Sequence, residues 1–194
     1  MRLARFAPLL FLGAAACQDP PCVSAEEAYL RLLKACEKDD AARLFDALDT
    51  PTQWSIESVH HAQREMKTLI LAGYPAAERD RALARIPPAV DEDEERPRRY
   101  YRRLDGSSER LAEFKKRMFA GTGQPIGTIR DSDGSADVWR TGGSIFHFAR
   151  DAKGRWGFTE LRDEWEQAKV RATHDLETVQ SNAALYRRRS DGAP

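Results

Sequence analysis

One histidine and two carboxylates in the second half of the sequence are the side chains best placed for acid–base chemistry. His147 lies in a segment of alternating apolar and polar residues, which predicts a strand, and Arg140 lies in the strand before it. Such an imidazole could act as a base or bind an anion, although a strand histidine is more commonly an ordinary hydrogen-bonded residue. Asp137 and Glu160 could be acids of a pocket, or could pair with an arginine or with solvent.

Aromatic residues recur at alternate positions in the same segment, as is typical of strands that cover a core. Four short strands are predicted over 126–130, 136–141, 144–150 and 155–161, and their tight turns make them antiparallel. A two-residue loop at 142–143 places Trp139 opposite Phe146, and a three-residue loop at 152–154 places Phe148 opposite Phe158. The predicted core face, which is also the candidate pocket wall, carries Trp139, Phe146, Phe148, Trp156 and Phe158. The opposite face carries Val138, Arg140, Ile145, His147 and Thr159.

Motifs for metals, nucleotides and nucleophilic catalysis are weak. DSDGSAD lacks the spacing and the final glutamate of a calcium loop, so a tight turn explains it better. GTGQPIG follows a predicted helix and misses the spacing of a dinucleotide-binding loop. His60 and His61 are adjacent and therefore point to different sides of a helix. The sequence predicts no metal and no cofactor, and it assigns no catalytic residue.

The N-terminal segment MRLARFAPLLFLGAAAC has the layout of a bacterial secretory signal. Arg2 and Arg5 form a basic head, the apolar run is too short to span a bilayer, and small residues precede Cys17. This ending resembles the lipobox of bacterial lipoproteins, which implies a signal peptide over 1–16 and a lipidated Cys17 that begins a tether over 17–23. Ordinary signal cleavage, with Cys17 as a bystander, is the alternative.

The lipoprotein resemblance also implies a location. Several acyl chains on one cysteine, palmitate among them, hold a protein firmly to a membrane. Gln18 stands where an aspartate would resemble an inner-membrane retention signal. We therefore expect a bacterial cell-envelope protein, anchored by its N-terminal lipid to the periplasmic side of the outer membrane.

The two remaining cysteines could form a disulfide in an oxidising compartment, but their spacing opposes it. A helix that begins near Ser24 carries Cys36 about 18 Å along its axis, whereas disulfide cysteines need Cα atoms within about 7 Å. Cys36 is therefore expected to be a half-buried thiol, and a bridge to Cys22 requires a later helix start.

Apolar residues at helical spacing predict several helices before the strands. Ser24 and Glu27 have the spacing of a capping box, Asp39 and Asp40 precede a short second helix, and Thr50 with the following proline begins a third. A weaker helix is predicted over 75–85 and another over 107–119. The acidic and basic blocks over 91–103 could grip a polyanion, but neighbouring blocks of opposite sign are more typical of an exposed loop.

A long helix is predicted to end the chain, within a C-terminal unit of residues 162–194. Asp163 and Glu166 cap it, and apolar residues recur at spacings of three and four up to Tyr186. This narrow seam suits packing on another element, on a partner protein or on a second copy of the chain.

Composition limits the class of protein. The chain has 194 residues, with 31 Lys and Arg against 31 Asp and Glu. A zero net charge disfavours a nucleic-acid partner, because phosphate contacts require a surplus of basic residues. Apart from the signal, a single domain over 24–161 and the terminal helix account for the sequence.

Helices followed by an antiparallel meander predict an α+β fold, with N-terminal helices packed on a C-terminal sheet. The segments AEEAYLRLLKACEKDDAARLFDALDTPTQ and GGSIFHFARDAKGRWGFTEL resemble the nuclear-transport-factor-like, or SnoaL-like, cone fold. That resemblance implies helices that close a curved sheet into a conical pocket. The chain departs from it by lacking a clear hairpin between Gly73 and Ser107 and by adding the last helix.

Three functions follow in order of preference. The first is a non-enzymatic, lipid-anchored binding protein of the periplasmic face, which binds a small apolar ligand or a protein in envelope assembly or maintenance. The second is an assembly subunit that interacts through its C-terminal helix. The third is a small isomerase-like or hydrolase-like enzyme, and the cone-fold family that the chain resembles contains isomerases and dehydratases. An apolar cavity favours ligand binding or catalysis, whereas a filled core with an exposed helical stripe favours assembly.

Overall fold

The computed structural model describes residues 22–38, 40–86, 126–141 and 143–190, together with residues 112, 113, 115, 116 and 118. The helices are α1 (Ala25–Glu37), α2 (Ala41–Ala47), α3 (Thr50–Gly73), α4 (Ala76–Leu83) and α5 (Arg162–Ser190), and the strands are β1 (Ile126–Ser132), β2 (Ser135–Arg140), β3 (Ile145–Arg150) and β4 (Trp156–Phe158). The predicted α+β fold, with its long C-terminal helix, is confirmed. Residues 1–21, the charged blocks over 91–103 and positions 111, 114 and 119 of the helix predicted over 107–119, which the sequence predicts to be buried, lie outside the described residues.

Local signals start the first two helices where the sequence predicts them. The Ser24 hydroxyl accepts a hydrogen bond from the Glu27 amide at 3.1 Å, which satisfies a free amide of the first turn of α1. Asp40 does the same for the amide of Arg43 at the start of α2. Both helices then turn apolar residues toward the sheet, and Tyr29 of α1 packs on Phe146 with ring centroids 5.5 Å apart.

The four strands form one antiparallel sheet in the order β1-β2-β3-β4. Between β3 and β4 the predicted register is confirmed, because Phe148 lies opposite Phe158. Gly154 adopts φ +80° in the predicted three-residue loop, a conformation that glycine reaches without steric cost. The two rings pack edge to face with centroids 5.7 Å apart.

The predicted register between β2 and β3 is wrong by one residue. Trp139 lies opposite Ile145, and Phe146 lies opposite Val138. The loop holds three residues, 141–143, because the Arg140 amide donates to the Ser144 carbonyl at 2.9 Å and Gly143 adopts φ +94°. A shift of one residue exchanges the two faces of a strand. Trp139 therefore projects away from the aromatic core face, while Val138 and Arg140, predicted on the opposite face, are buried.

Helices α3 and α5 run parallel and pack along their length. Arg162 contacts Asp49 just before α3, Ser55 donates to Glu166 at 2.7 Å, and Gly73 meets Ala183 near the far end. The Ser55 bond is the largest cause of the lowered pKa of Glu166. The predicted apolar seam of α5 is thus covered by α3 of the same chain.

The buried residues form two clusters at opposite ends of α3. The larger cluster joins α1, α2, the sheet and the start of α5. The smaller cluster centres on Ile70, Tyr74 and Ala183, with partly buried residues of α4 and α5 around it. The 24 residues of α3 span about 36 Å at 1.5 Å per residue. The molecule therefore has an α+β body and a three-helix end, and the partly buried Ile86 packs against both clusters.

Cys22, the first described residue, lies beside the N-terminal end of α3. The Trp156 amide donates to the Cys22 carbonyl at 3.3 Å, and the Asp49 amide donates to the carbonyl of Phe158 at 3.0 Å. Trp156 and Phe158 are two residues apart in β4, so Cys22 and Asp49 lie at the same end. We call this end proximal, and we call the end formed by Tyr74, α4 and Ala183 distal.

Candidate functional site

The aromatic core face is filled rather than hollow. Phe146, Phe148 and Phe158 are each at most 1 % exposed, and Trp156 is 5 % exposed. None of them lines either of the two cavities described below. The prediction that these residues form a pocket wall is therefore wrong for the described chain, because α1 and α2 pack directly on them.

The opposite face of the sheet brings two predicted site residues together. Asp137 Oδ1 lies 2.7 Å from His147 Nδ1, and the side chains are 42 % and 54 % exposed. Beside them the Arg130 guanidinium lies over the ring of Trp139, 5.2 Å from its centroid. A carboxylate bound to one ring nitrogen orients the imidazole and leaves the other nitrogen to solvent. The pair therefore lies open to solvent on the outer face of the sheet, and neither cavity includes it.

The predicted positions of two other candidate site residues, Arg140 and Asp137, are wrong. Arg140 does not lie beside His147, because it points into the core, where its Nη1 donates to the Met118 carbonyl at 2.8 Å. Asp137 does not approach the aromatic face, since it shares the outer face with Trp139. Glu160 is half-buried in the turn before α5 and lines neither cavity.

The larger cavity lies at the proximal end and has a volume of about 600 Å³. One wall is an ion pair between a buried carboxylate and a guanidinium that is 40 % exposed. The Asp49 carboxylate, 3 % exposed, accepts a hydrogen bond from Arg162 Nε at 2.9 Å and another from the Thr52 hydroxyl. This pair joins the start of α3 to the start of α5 and fixes one side of the cavity.

A second ion pair forms the neighbouring wall. Asp151 Oδ2 lies 3.2 Å from Arg155 Nε and accepts a hydrogen bond from the Thr50 hydroxyl at 2.9 Å. Its other oxygen accepts the backbone amides of Lys153 and Arg155, each at 2.9 Å. Burial raises the pKa of Asp151, but the combined hydrogen bonds and the Arg155 charge outweigh it and leave the pKa below its ordinary value.

The rim of the proximal cavity is basic and aromatic. Arg150 and Lys153 are exposed on it, and the Trp54 indole is 65 % exposed on the facing turn of α3. Glu57 is the remaining carboxylate among the lining residues. The arrangement can bind an anion at the rim, because the two cations lie outside both ion pairs.

The smaller cavity lies at the distal end and has a volume of about 340 Å³. Its apolar lining comes from all three helices of that end: Met66, Ile70, Tyr74, Ala82, Ile86, Val179 and Tyr186. Charged residues of both signs stand around it, among them Glu78, Arg81, Arg85 and Asp175. An apolar floor with a mixed charged rim is suited to a large apolar side chain from a partner.

Sequence reasoning missed the residues of the proximal cavity. Asp49 and Arg162 are 113 positions apart, and Thr50 and Asp151 are 101 apart, so no local pattern connects them. The only available signal was the Asp-Thr-Pro start of α3, which predicts a helix and not a site.

The cysteines and the titratable clusters add no further site in the described part of the chain. Cys22 and Cys36 are buried thiols that form no disulfide within the described residues, and Cys36 is more deeply buried than the expected half. Among the described residues no group of three or more His, Cys, Asp or Glu side chains could hold a metal ion. No helix in that part is long and apolar enough to cross a membrane.

Comparison with known proteins gives no relative from which a role could be inferred. No family model, no curated protein and no solved structure matches this chain. The cone-fold resemblance therefore stays a prediction, and the two cavities are interpreted from their own geometry.

Proposed function

We propose that this chain is a lipid-anchored, non-enzymatic binding protein of the periplasmic face of the bacterial outer membrane. Cys17 carries the lipid, and the distal end binds a protein partner in envelope assembly or maintenance. The observation that carries the proposal is the placement of the chain's entry and the distal cavity at opposite ends of α3. An anchor at one end leaves the other end free to meet a partner.

The tether supports this orientation. Cys22 comes five positions after Cys17, so the chain between them spans at most about 18 Å. The distal cavity lies about 24 to 36 Å further along α3, because its lining residues Met66 and Tyr74 come 16 and 24 positions after Thr50. A partner can therefore reach the distal end without entering the headgroup region.

The form of the distal cavity favours one kind of partner. Its volume of about 340 Å³ takes one or two large apolar side chains, and its charged rim offers ion pairs of both signs. An amphipathic helix meets these requirements, since it presents apolar residues on one face with charges beside them. The filled aromatic core favours this reading over a small apolar ligand inside the sheet.

The anchor is tested by cell fractionation of Cys17→Ser. The substituted chain should leave the membrane fraction and lose its lipid-dependent mass. Gln18→Asp is the matched control, because it keeps the acylated cysteine and is expected to move the protein from the outer to the inner membrane. Membrane retention of Cys17→Ser would overturn the anchor.

The partner is tested by photo-crosslinking from position 85, where Arg85 is exposed at the distal rim. A crosslinker at the exposed turn residue Asp133 is the control. The proposal expects one protein captured from position 85 alone, with the yield reduced by Arg81→Glu. A crosslinked pair of identical chains would favour the assembly-subunit function instead, and equal capture from both positions would contradict a distal partner.

A further inference from the structure

The proximal cavity lies within reach of the membrane to which the proposed anchor attaches. Its wall residues Arg155 and Gly157 flank Trp156, whose amide donates to the Cys22 carbonyl at 3.3 Å. The chain from Cys22 back to Cys17 spans at most about 18 Å. A lipid on Cys17 therefore holds the cavity close to the phospholipid headgroups.

Outside its two ion pairs, the cavity is lined by two cations and one carboxylate, that of Glu57. Arg155 is paired with Asp151, and Arg162 is paired with Asp49, so these four charges neutralise one another. Arg150 donates from Nε to the Gly154 carbonyl at 3.3 Å, a bond that leaves its positive charge uncompensated. Lys153 follows on the same loop and is exposed. A guanidinium and an ammonium on one loop present donors to a phosphate from two directions.

An exposed tryptophan stands at the mouth of the same cavity. Trp54 is 65 % exposed, which is unusual for the largest side chain and leaves much of its apolar surface in water. Tryptophan is enriched at the level of lipid headgroups, where its ring is half in apolar and half in polar surroundings. The combination of a basic rim and an open indole matches a membrane surface better than it matches a soluble anion.

We propose that the proximal cavity binds the phosphate headgroup of an anionic phospholipid in the leaflet that holds Cys17. Arg150 and Lys153 contact the phosphate, and Trp54 lies at the headgroup level beside it. The ion pairs of Asp49 and Asp151 keep the walls in place. This site rests on the proposed anchor for its access to the membrane, and it orients the protein with its distal end away from the bilayer.

The site is tested with the full chain purified from membranes in a non-ionic detergent. Dihexanoyl-phosphatidylglycerol, below its critical micelle concentration, is titrated while tryptophan fluorescence is recorded. The signal of Trp54 is taken as the difference between the parent protein and Trp54→Phe. A saturable change is expected, with a much weaker one for zwitterionic dihexanoyl-phosphatidylcholine.

Two double variants separate this site from general electrostatic attraction. Arg150→Ala with Lys153→Ala should weaken the affinity for the anionic lipid about tenfold or more, since both residues lose charge-assisted hydrogen bonds to the phosphate. Arg187→Ala with Arg188→Ala removes the same charge from exposed residues at the distal end and should leave the affinity unchanged. Neither variant touches the ion pairs of the walls.

Three results would overturn the site. They are the absence of a Trp54 response, an equal loss of affinity in both double variants, and the same response to inorganic phosphate at equal concentration. The last result would assign the cavity to free phosphate. The titration needs no bilayer, so release of Cys17→Ser from membranes tests the anchor separately, and either proposal can fail without the other.

Discussion

Gly157 shows how a single missing side chain controls the approach of two segments. A Cβ at this position would lie 2.4 Å from Asp49 Cα and 2.6 Å from Asp49 N, so the backbone itself would have to move. The close approach lets the Asp49 amide reach the Phe158 carbonyl, and it seats the wall of the proximal cavity.

Gly157→Ala should therefore lower the free energy of unfolding by about 2 kcal/mol or more, because overpacking against backbone is costly. Gly127→Ala is the control, since the nearest atoms to its added Cβ are at 3.7 Å. Urea denaturation of both variants measures the difference. Equal stability of the two would show that β4 and the start of α3 are less tightly joined than the structure has them.

The lowered pKa of Asp151 predicts how the free energy of unfolding depends on pH. Its pKa lies below the ordinary value of 3.8 in the folded protein, because its hydrogen bonds and Arg155 outweigh burial. The carboxylate therefore stabilises the fold above the ordinary pKa, and this contribution is lost as the pH falls through the lower folded pKa. Asp151→Asn should flatten the fall of unfolding free energy below about pH 4, as measured by urea denaturation across acid pH. An unchanged slope would contradict the shift.

At the scale of elements, the contact between Gly73 and Ala183 sets the spacing of α3 and α5 at the distal end. A Cβ on Gly73 would already lie 3.1 Å from Ala183 Cβ, which leaves no room for a larger residue. The smaller cluster depends on this approach, because Ala183 is one of its three buried members.

Ala183→Leu should push the helices apart and cost about 1 to 3 kcal/mol, the usual range for overpacking. Ala184→Leu is the matched control, because Ala184 is exposed on the same turn. Hydrogen exchange should quicken in α4 and in the last turns of α5 while the sheet stays protected. If the sheet amides exchanged as fast as those of α4, the two clusters would be one cooperative unit.

The elements also show what local sequence can and cannot predict. The helix starts at Ser24 and Asp40 and the loop at Gly154 follow from side chains that act on their own neighbours. The register of Trp139 cannot be predicted in this way, because the glycines between β2 and β3 are compatible with a two-residue loop and with a three-residue loop. Packing of the core decides between these registers, because it places Val138 opposite Phe146 and leaves the larger indole of Trp139 on the outer face.

At the scale of the whole molecule, the proximal cavity could not be predicted from the sequence, and the reason is different from that for the strand register. Its walls join residues more than a hundred positions apart, and only the packing of α5 on α3 brings them together. The anchor, by contrast, could be predicted from the sequence, because the N-terminal segment has the pattern of a secretory signal whatever the fold of the rest of the chain.

The anchor and the two ends together predict how the molecule stands on a membrane. Cys17 is acylated in the proposal, and Cys22 and Cys36 are buried, so a cysteine placed on the surface can be labelled selectively. A fluorophore at Glu57, on the proximal rim, should be strongly quenched by lipids that carry a headgroup quencher. One at Arg188 should be quenched far less, because about 36 Å of helix separates the ends.

A longer tether would show whether the lipid on Cys17 alone orients the protein or whether the proposed headgroup site contributes. About twelve inserted Gly and Ser residues after Gln18 add a root-mean-square reach of about 20 Å, enough to let an otherwise unattached body turn over. If the lipid alone orients the protein, the fluorophores at positions 57 and 188 become equally quenched. If Arg150 and Lys153 also bind headgroups, the difference survives the insertion and disappears when both are changed to alanine.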